Sequence, residues 1–258
     1  MNGPASVMSL VLTEITVGSL AVLWSTPAWG HIRRGFFKLI GSVIVVAAVL
    51  GWFAARAPLG GADAHGSAAV AFWLLGATAG VAVLWQILLW AGFDEISRVV
   101  GIGAVPVGIA ALVALASLPA TQHSIGIGIA QLLTGALFLG AVTDGLLLGH
   151  WYLVDRRASR SPLARMGTFF LAGSALMAAA TIAGGGGGGT ADPRLSPLLG
   201  AGSLTVALAV GLAVICALIG FFIRALVKED SIQAATGFFY LAVIMAIAAE
   251  FAAKVRFF

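Results

Sequence analysis

The chain has 258 residues, of which 60% are hydrophobic and 9% are charged, and its mean hydropathy is +1.07. This composition excludes a soluble globular protein, because the water-facing surface of such a protein requires many more polar side chains. The surplus of 14 basic over 10 acidic residues does not indicate nucleic-acid binding, because the basic residues lie beside apolar segments, where they orient membrane helices.

Eight long apolar segments follow one another along the chain. A helix needs about 20 apolar residues to cross the hydrocarbon core of a bilayer. In lipid the backbone must satisfy its own hydrogen bonds, so segments of this length form helices. The sequence predicts a single all-α transmembrane domain, residues 1–258, with spans at roughly 6–24, 36–55, 68–92, 97–118, 125–150, 165–184, 198–225 and 232–253. No convincing sequence repeat relates the first four spans to the last four.

The connections between the spans predict the orientation. Ten basic residues lie in one set of alternate loops: Arg33, Arg34, Lys38, Arg98, Arg156, Arg157, Arg160, Arg165, Arg224 and Lys228. Four lie in the other set: Arg56, Arg194, Lys254 and Arg256. The richer side is expected to be cytoplasmic, with both termini on the opposite side of a bacterial inner membrane or a plasma membrane. The glycine-rich segment 184–197 is predicted to be a flexible outer loop.

Ionisable side chains inside the spans are candidates for function, because they cost free energy in a bilayer. Glu14 lies near the middle of span 1 and Asp144 in the inner half of span 5, and both are candidate proton-relay groups. The alternative for Glu14 is a neutral side chain, hydrogen-bonded between helices beside Thr13 and Thr16. The alternative for Asp144 is an ion pair with an arginine of the inner loops.

The end of span 8 predicts an ion pair. Glu250 lies four residues before Lys254, a spacing that permits a salt bridge on one helix face. We expect a stabilising pair at the outer boundary of the membrane. One helical face is expected to look inward towards other helices or a polar cavity, and it contains Asp230, Gln233, Thr236, Tyr240, Val243, Ile247, Glu250 and Lys254.

The end of span 5 carries a candidate ligand site. His150, Trp151 and Tyr152 close the span, and Arg156 follows. An imidazole that exchanges protons near neutral pH, two amphipathic aromatic rings and a guanidinium group suit the head group of a quinone. The alternative is an ordinary interfacial anchor, because Trp and Tyr gather at membrane boundaries. A b-type haem held by His31 and His150 is a further hypothesis.

Other chemistries have no motif in the sequence. There is one cysteine, Cys216, so the chain cannot hold an iron–sulfur cluster on its own cysteines. Phosphate-binding, zinc-protease and serine-hydrolase motifs do not occur, and the scattered histidines predict no metal site.

Three functions therefore stay open. The first is an anchor subunit of a membrane redox complex, with partner subunits, that reacts with quinone or serves only as a non-catalytic support. The second is a proton- or cation-coupled transporter or channel that uses the buried carboxylates. The third is a purely structural membrane subunit.

Overall fold

The computed structural model describes residues 3–29, 31–60, 66–118, 124–155, 158–184 and 202–254. These residues form eight α-helices, namely α1 (Pro4–Ser25), α2 (Arg34–Leu59), α3 (Ser67–Ala91), α4 (Asp94–Ala116), α5 (Ile125–Val154), α6 (Ser161–Gly184), α7 (Gly202–Lys228) and α8 (Ile232–Lys254). All eight are long and apolar enough to cross a membrane. The prediction of an all-helical, multi-pass membrane protein is confirmed. The predicted glycine-rich loop lies outside the described residues after Gly184.

The predicted spans each coincide with one helix, but two helices begin three or four residues earlier than hydropathy indicates. Helix α4 starts at Asp94, and the two acidic residues of its first turn stabilise the positive end of the helix dipole. Helix α6 starts at Ser161. Pro162 fits its first turn, where the missing backbone N–H would have no intrahelical partner.

The helices form two four-helix rings with the same order of neighbours. Helix α1 contacts α2 and α4, and α3 lies between those two; α5 contacts α6 and α8 in the same way, with α7 between them. The rings meet mainly through α1 and α5. The second ring therefore repeats the helix arrangement of the first, although the two halves of the sequence show no repeat. Apolar helix faces and short connections are sufficient to produce the same order of neighbouring helices twice.

The α1–α5 contact is a direct approach of two backbones. A Cβ atom on Gly18 would lie 1.7 Å from the Ala136 carbonyl oxygen, and one on Gly140 would lie 2.0 Å from the Gly18 carbonyl carbon. Only glycine fits at such a crossing. Helix α1 is consequently enclosed, with 78% of its apolar span buried, whereas only 28% of that of α3 is buried. Polar groups on α1 are thus removed from both lipid and water.

Candidate functional site

Three ionisable side chains meet inside the bundle, and we call Glu14, Glu250 and Lys254 the ion cluster. Lys254 Nζ lies 2.8 Å from Glu14 Oε1 and 3.1 Å from Glu250 Oε2. Both glutamate side chains are 0% exposed and that of Lys254 is 2% exposed. Helix α1 belongs to the first ring and α8 to the second, so the ion cluster joins the two halves of the molecule.

Helix α5 forms the third wall of the ion cluster. Lys254 Nζ also donates to the backbone carbonyl oxygen of Gln131, at 3.3 Å. The Gln131 side-chain amide in turn donates to the Ala180 carbonyl oxygen on α6, at 3.0 Å. An ammonium group has three N–H donors, and Lys254 therefore has an acceptor for each of them. Its position is fixed from three sides.

Gly135 on α5 gives the two glutamates the space to approach each other. A Cβ atom at this position would lie 2.6 Å from Glu14 Oε1 and 2.7 Å from Glu250 Oε1. Those two oxygens are consequently no more than 5.3 Å apart, the sum of the two distances. Any larger residue at position 135 would collide with both carboxylates. The close approach of the two glutamates therefore requires the small size of glycine at position 135.

The predicted Glu250–Lys254 pair is confirmed, and both side chains are buried in the bundle. Glu14 does lie between helices, as its alternative reading beside Thr13 and Thr16 expected, and the neutral form of its side chain stays a prediction. Thr13 donates to the Ser9 carbonyl oxygen and Thr16 to that of Leu12, so these hydroxyls are occupied within α1. Glu14 faces Lys254 instead.

Asp144 lies further along the α1–α5 contact. Its side chain is 0% exposed, and Ser19 on α1 faces its carboxyl group. The Ser19 side chain is a hydrogen-bond partner of this carboxyl group. The proposed ion pair with an arginine is wrong for the arginines that the structure describes. Three of them pair with other acids: Arg33 with Asp155, Arg34 with Asp94 and Arg160 with Asp230.

The predicted inward face of α8 is correct only in part. Thr236, Glu250 and Lys254 are buried, whereas Tyr240 is 49% exposed and Ile247 36% exposed; Asp230 and Gln233 are exposed as well. A stripe of small side chains packs against the neighbouring helices instead: Ala235, Ala242, Ala246, Ala249 and Ala253. Small residues allow the closest helix approach, so they outweigh the polar pattern in setting the rotation of α8.

The side chains at the end of α5 point in different directions. His150 is exposed, and its Nδ1 atom lies 3.4 Å from the Tyr240 hydroxyl on α8. Trp151 packs against Gly35 and Phe36 of α2. Tyr152 is buried and donates to the Ser159 carbonyl oxygen. Of the three predicted quinone contacts that the structure describes, His150 is the exposed one.

Two further residues were predicted to bind a ligand together with His150, namely Arg156 and His31. Arg156 is outside the described residues. His31 lies in the exposed turn before α2, with its backbone N–H bonded to the Ala28 carbonyl oxygen. The described residues contain no group of three His, Cys, Asp or Glu side chains that could hold a metal ion. Haem ligation by His31 and His150 stays a prediction.

An open cavity of about 390 Å³ lies next to the end of α5. Tyr152, Leu153, Gln233 and the paired side chains of Arg160 and Asp230 line it. Sequence reasoning did not identify this cavity, nor the roles of Gln131, Gly135 and Ser19. A glutamine within an apolar span was a signal for the first of these. The roles of Gly135 and Ser19 depend on contacts between helices distant in sequence.

No protein-family model, curated protein or solved structure matches this chain significantly. The eight described helices define a multi-pass membrane protein, and any functional assignment depends on its geometry.

Proposed function

We propose that this protein transfers protons within the membrane and that the ion cluster is the proton-binding site. The observation that carries the proposal is the burial of Glu14, Glu250 and Lys254 in mutual contact between the two rings. Burying charges costs several kcal/mol per ion, and well-packed apolar side chains often hold helices together as well or better. The presence of three ionisable groups in a buried site favours a role that uses their charge.

The charges of the ion cluster favour the binding of one proton. Two carboxylates and one ammonium group sum to −1, and an uncompensated charge is expensive in a buried site. The facing carboxylate oxygens, at most 5.3 Å apart, would repel each other by at least about 3 kcal/mol at an effective dielectric constant of about 20. One proton on either carboxyl group removes both costs. In the proposed cycle this proton is taken up from one side and released to the other.

Lys254 serves in this scheme as the fixed positive charge. Its three acceptors, Glu14, Glu250 and the Gln131 carbonyl oxygen, hold the ammonium group in place. The ammonium group occupies the position that a metal cation would need between the two carboxylates. The cargo that fits is therefore a proton, and relative movement of the two rings would give the site access to water.

A flux assay in proteoliposomes tests the proposal. With a pH-sensitive dye inside the vesicles and an imposed membrane potential, Glu14→Gln should lower the initial proton flux by at least about tenfold, because the amide cannot bind the transferred proton. Glu229→Gln is the matched control, because Glu229 is exposed just after α7. Unchanged flux in Glu14→Gln together with a lower melting temperature would contradict the proposal and favour a structural role.

Quinone-linked electron transfer is a second candidate, favoured by the exposed pair of His150 and Tyr240. A quinone head group diffusing in lipid could accept hydrogen bonds from both side chains. In this case the protein would be a membrane anchor subunit that co-purifies with redox partners. His150→Ala should then lower quinol turnover of the complex, with Tyr152→Phe as the control for a tyrosine that is already engaged. Normal turnover in His150→Ala would exclude His150 as the contact.

A further inference from the structure

The open cavity beside the end of α5 takes no part in the proposed proton transfer. Its volume of about 390 Å³ lies within the range of about 300–1,000 Å³ that is usual for small-molecule sites. The end of α5, the turn between α7 and α8 and the first turn of α8 line it, together with Arg160 just before α6. The cavity therefore lies where helices end, which is the level of the lipid head groups when these helices cross a bilayer.

An ion pair forms the charged wall of this cavity. Arg160 Nη1 contacts Asp230 Oδ1, and the two side chains are 47% and 53% exposed. The buried Tyr152 donates to the carbonyl oxygen of Ser159 and so holds the segment that carries Arg160. A half-exposed pair contributes little to stability. Because a guanidinium group has five N–H donors, Arg160 can hold Asp230 and a second acceptor at the same time.

Asp230 occupies a backbone position that favours glycine. Among the residues that the structure describes, it is the one non-glycine residue with a positive φ, of +68°. The backbone N–H of Ser231 donates to the Leu226 carbonyl oxygen at 2.9 Å, a bond typical of a helix that ends in a left-handed residue. Glycine adopts this conformation without the steric cost that a Cβ atom brings. The turn itself therefore does not need aspartate, and the carboxylate supplies a negative charge to the cavity.

We propose that this cavity binds the zwitterionic phosphoethanolamine head group of a membrane phospholipid. The phosphate accepts hydrogen bonds from Arg160, because guanidinium groups match phosphate oxygens in charge and geometry. The primary ammonium group of the lipid donates to Asp230. A ligand with a single charge would be repelled by one member of the pair, whereas a zwitterion meets an opposite charge on both. Exposed apolar side chains further along α8, among them Leu241 and Ile244, give the acyl chains a surface.

Native mass spectrometry of the full-length protein in detergent tests this site with lipids of identical acyl chains. The wild type should retain dioleoyl phosphatidylethanolamine at least about tenfold more than dioleoyl phosphatidylcholine, because a quaternary ammonium group cannot donate a charged hydrogen bond to Asp230. Asp230→Gly should remove this preference, and Arg160→Gln should lower retention of both lipids. Glu229→Gln is the matched control, because Glu229 is the exposed neighbour of Asp230 and does not line the cavity.

Asp230→Gly also separates lipid binding from folding. Because glycine suits the left-handed conformation, this variant should melt at the wild-type temperature or above it while it loses the lipid preference. Equal retention of the two lipids by the wild type would overturn the proposal, as would an unchanged preference in both site variants. Arg160→Gln decides alone if Asp230→Gly does not fold. Glycerophosphoethanolamine, which has no acyl chains, should bind more weakly than the lipid, and equal binding would overturn a lipid occupant.

Discussion

Helices α4 and α8 occupy corresponding places in the two rings, but they present different chemistry to the central α1–α5 pair. On the α4 side, buried apolar residues pack together, among them Leu10, Val17, Leu112, Leu115 and Leu132; we call these the apolar cluster. On the α8 side, Glu250 and Lys254 meet Glu14. The apolar cluster shows that this fold can join its rings without charges, so the ion cluster is not a requirement of packing.

The largest effect is expected when the ion cluster loses its positive charge. Lys254→Met leaves Glu14 and Glu250 facing each other without a counter-ion, and breaking a buried ion pair costs about 3–5 kcal/mol. Unfolding monitored in detergent should show this loss of stability. The double variant Glu14→Gln/Lys254→Met should recover part of it, because one of the carboxylates is then neutral. Wild-type stability in Lys254→Met would contradict the claim that the α8 side, unlike the apolar α4 side, depends on a buried ion pair.

A substitution in the apolar cluster should separate stability from function. Leu115 is fully buried, and Leu115→Ala should lower the free energy of unfolding by about 2–5 kcal/mol through lost contacts and the cavity left behind. Proton flux per folded protein should stay close to the wild-type value, because no ionisable group moves. A loss of flux as large as that of Glu14→Gln would show that the assay reports only folding.

Gly135 allows a finer test of the charged side. Gly135→Ala places a methyl group against both glutamates, which should lower stability by about 1–3 kcal/mol and lower proton flux. Gly103→Ala is the control, because no atom lies within 4 Å of a Cβ placed there, and alanine in an exposed helix position stabilises by up to about 1 kcal/mol. If Gly135→Ala and Gly103→Ala changed stability and proton flux equally, the close approach of the Glu14 and Glu250 carboxylates would not matter for either property.

Contacts within one helix could be predicted from the sequence, whereas contacts between helices that are distant in the sequence could not. The i,i+4 spacing of Glu250 and Lys254 was sufficient to predict their contact, because a helix fixes that distance by itself. Nothing in the spacing connects Lys254 to Glu14, which belongs to a helix 240 residues earlier. On α8, the polar pattern predicted an inward-facing Tyr240, but the alanine stripe packs closer and turns that side chain outward.

The sequence by itself determined eight apolar helices and showed which ionisable residues lie within them, since hydropathy and helical periodicity are properties of neighbouring residues. Tertiary structure alone decided that Glu14 meets Glu250 over Gly135, that Asp144 faces Ser19, and that His150 turns towards Tyr240. The physical reason is that lateral contacts depend on which helix faces approach most closely. That approach is set by small residues such as Gly18 and Gly140 across the whole bundle.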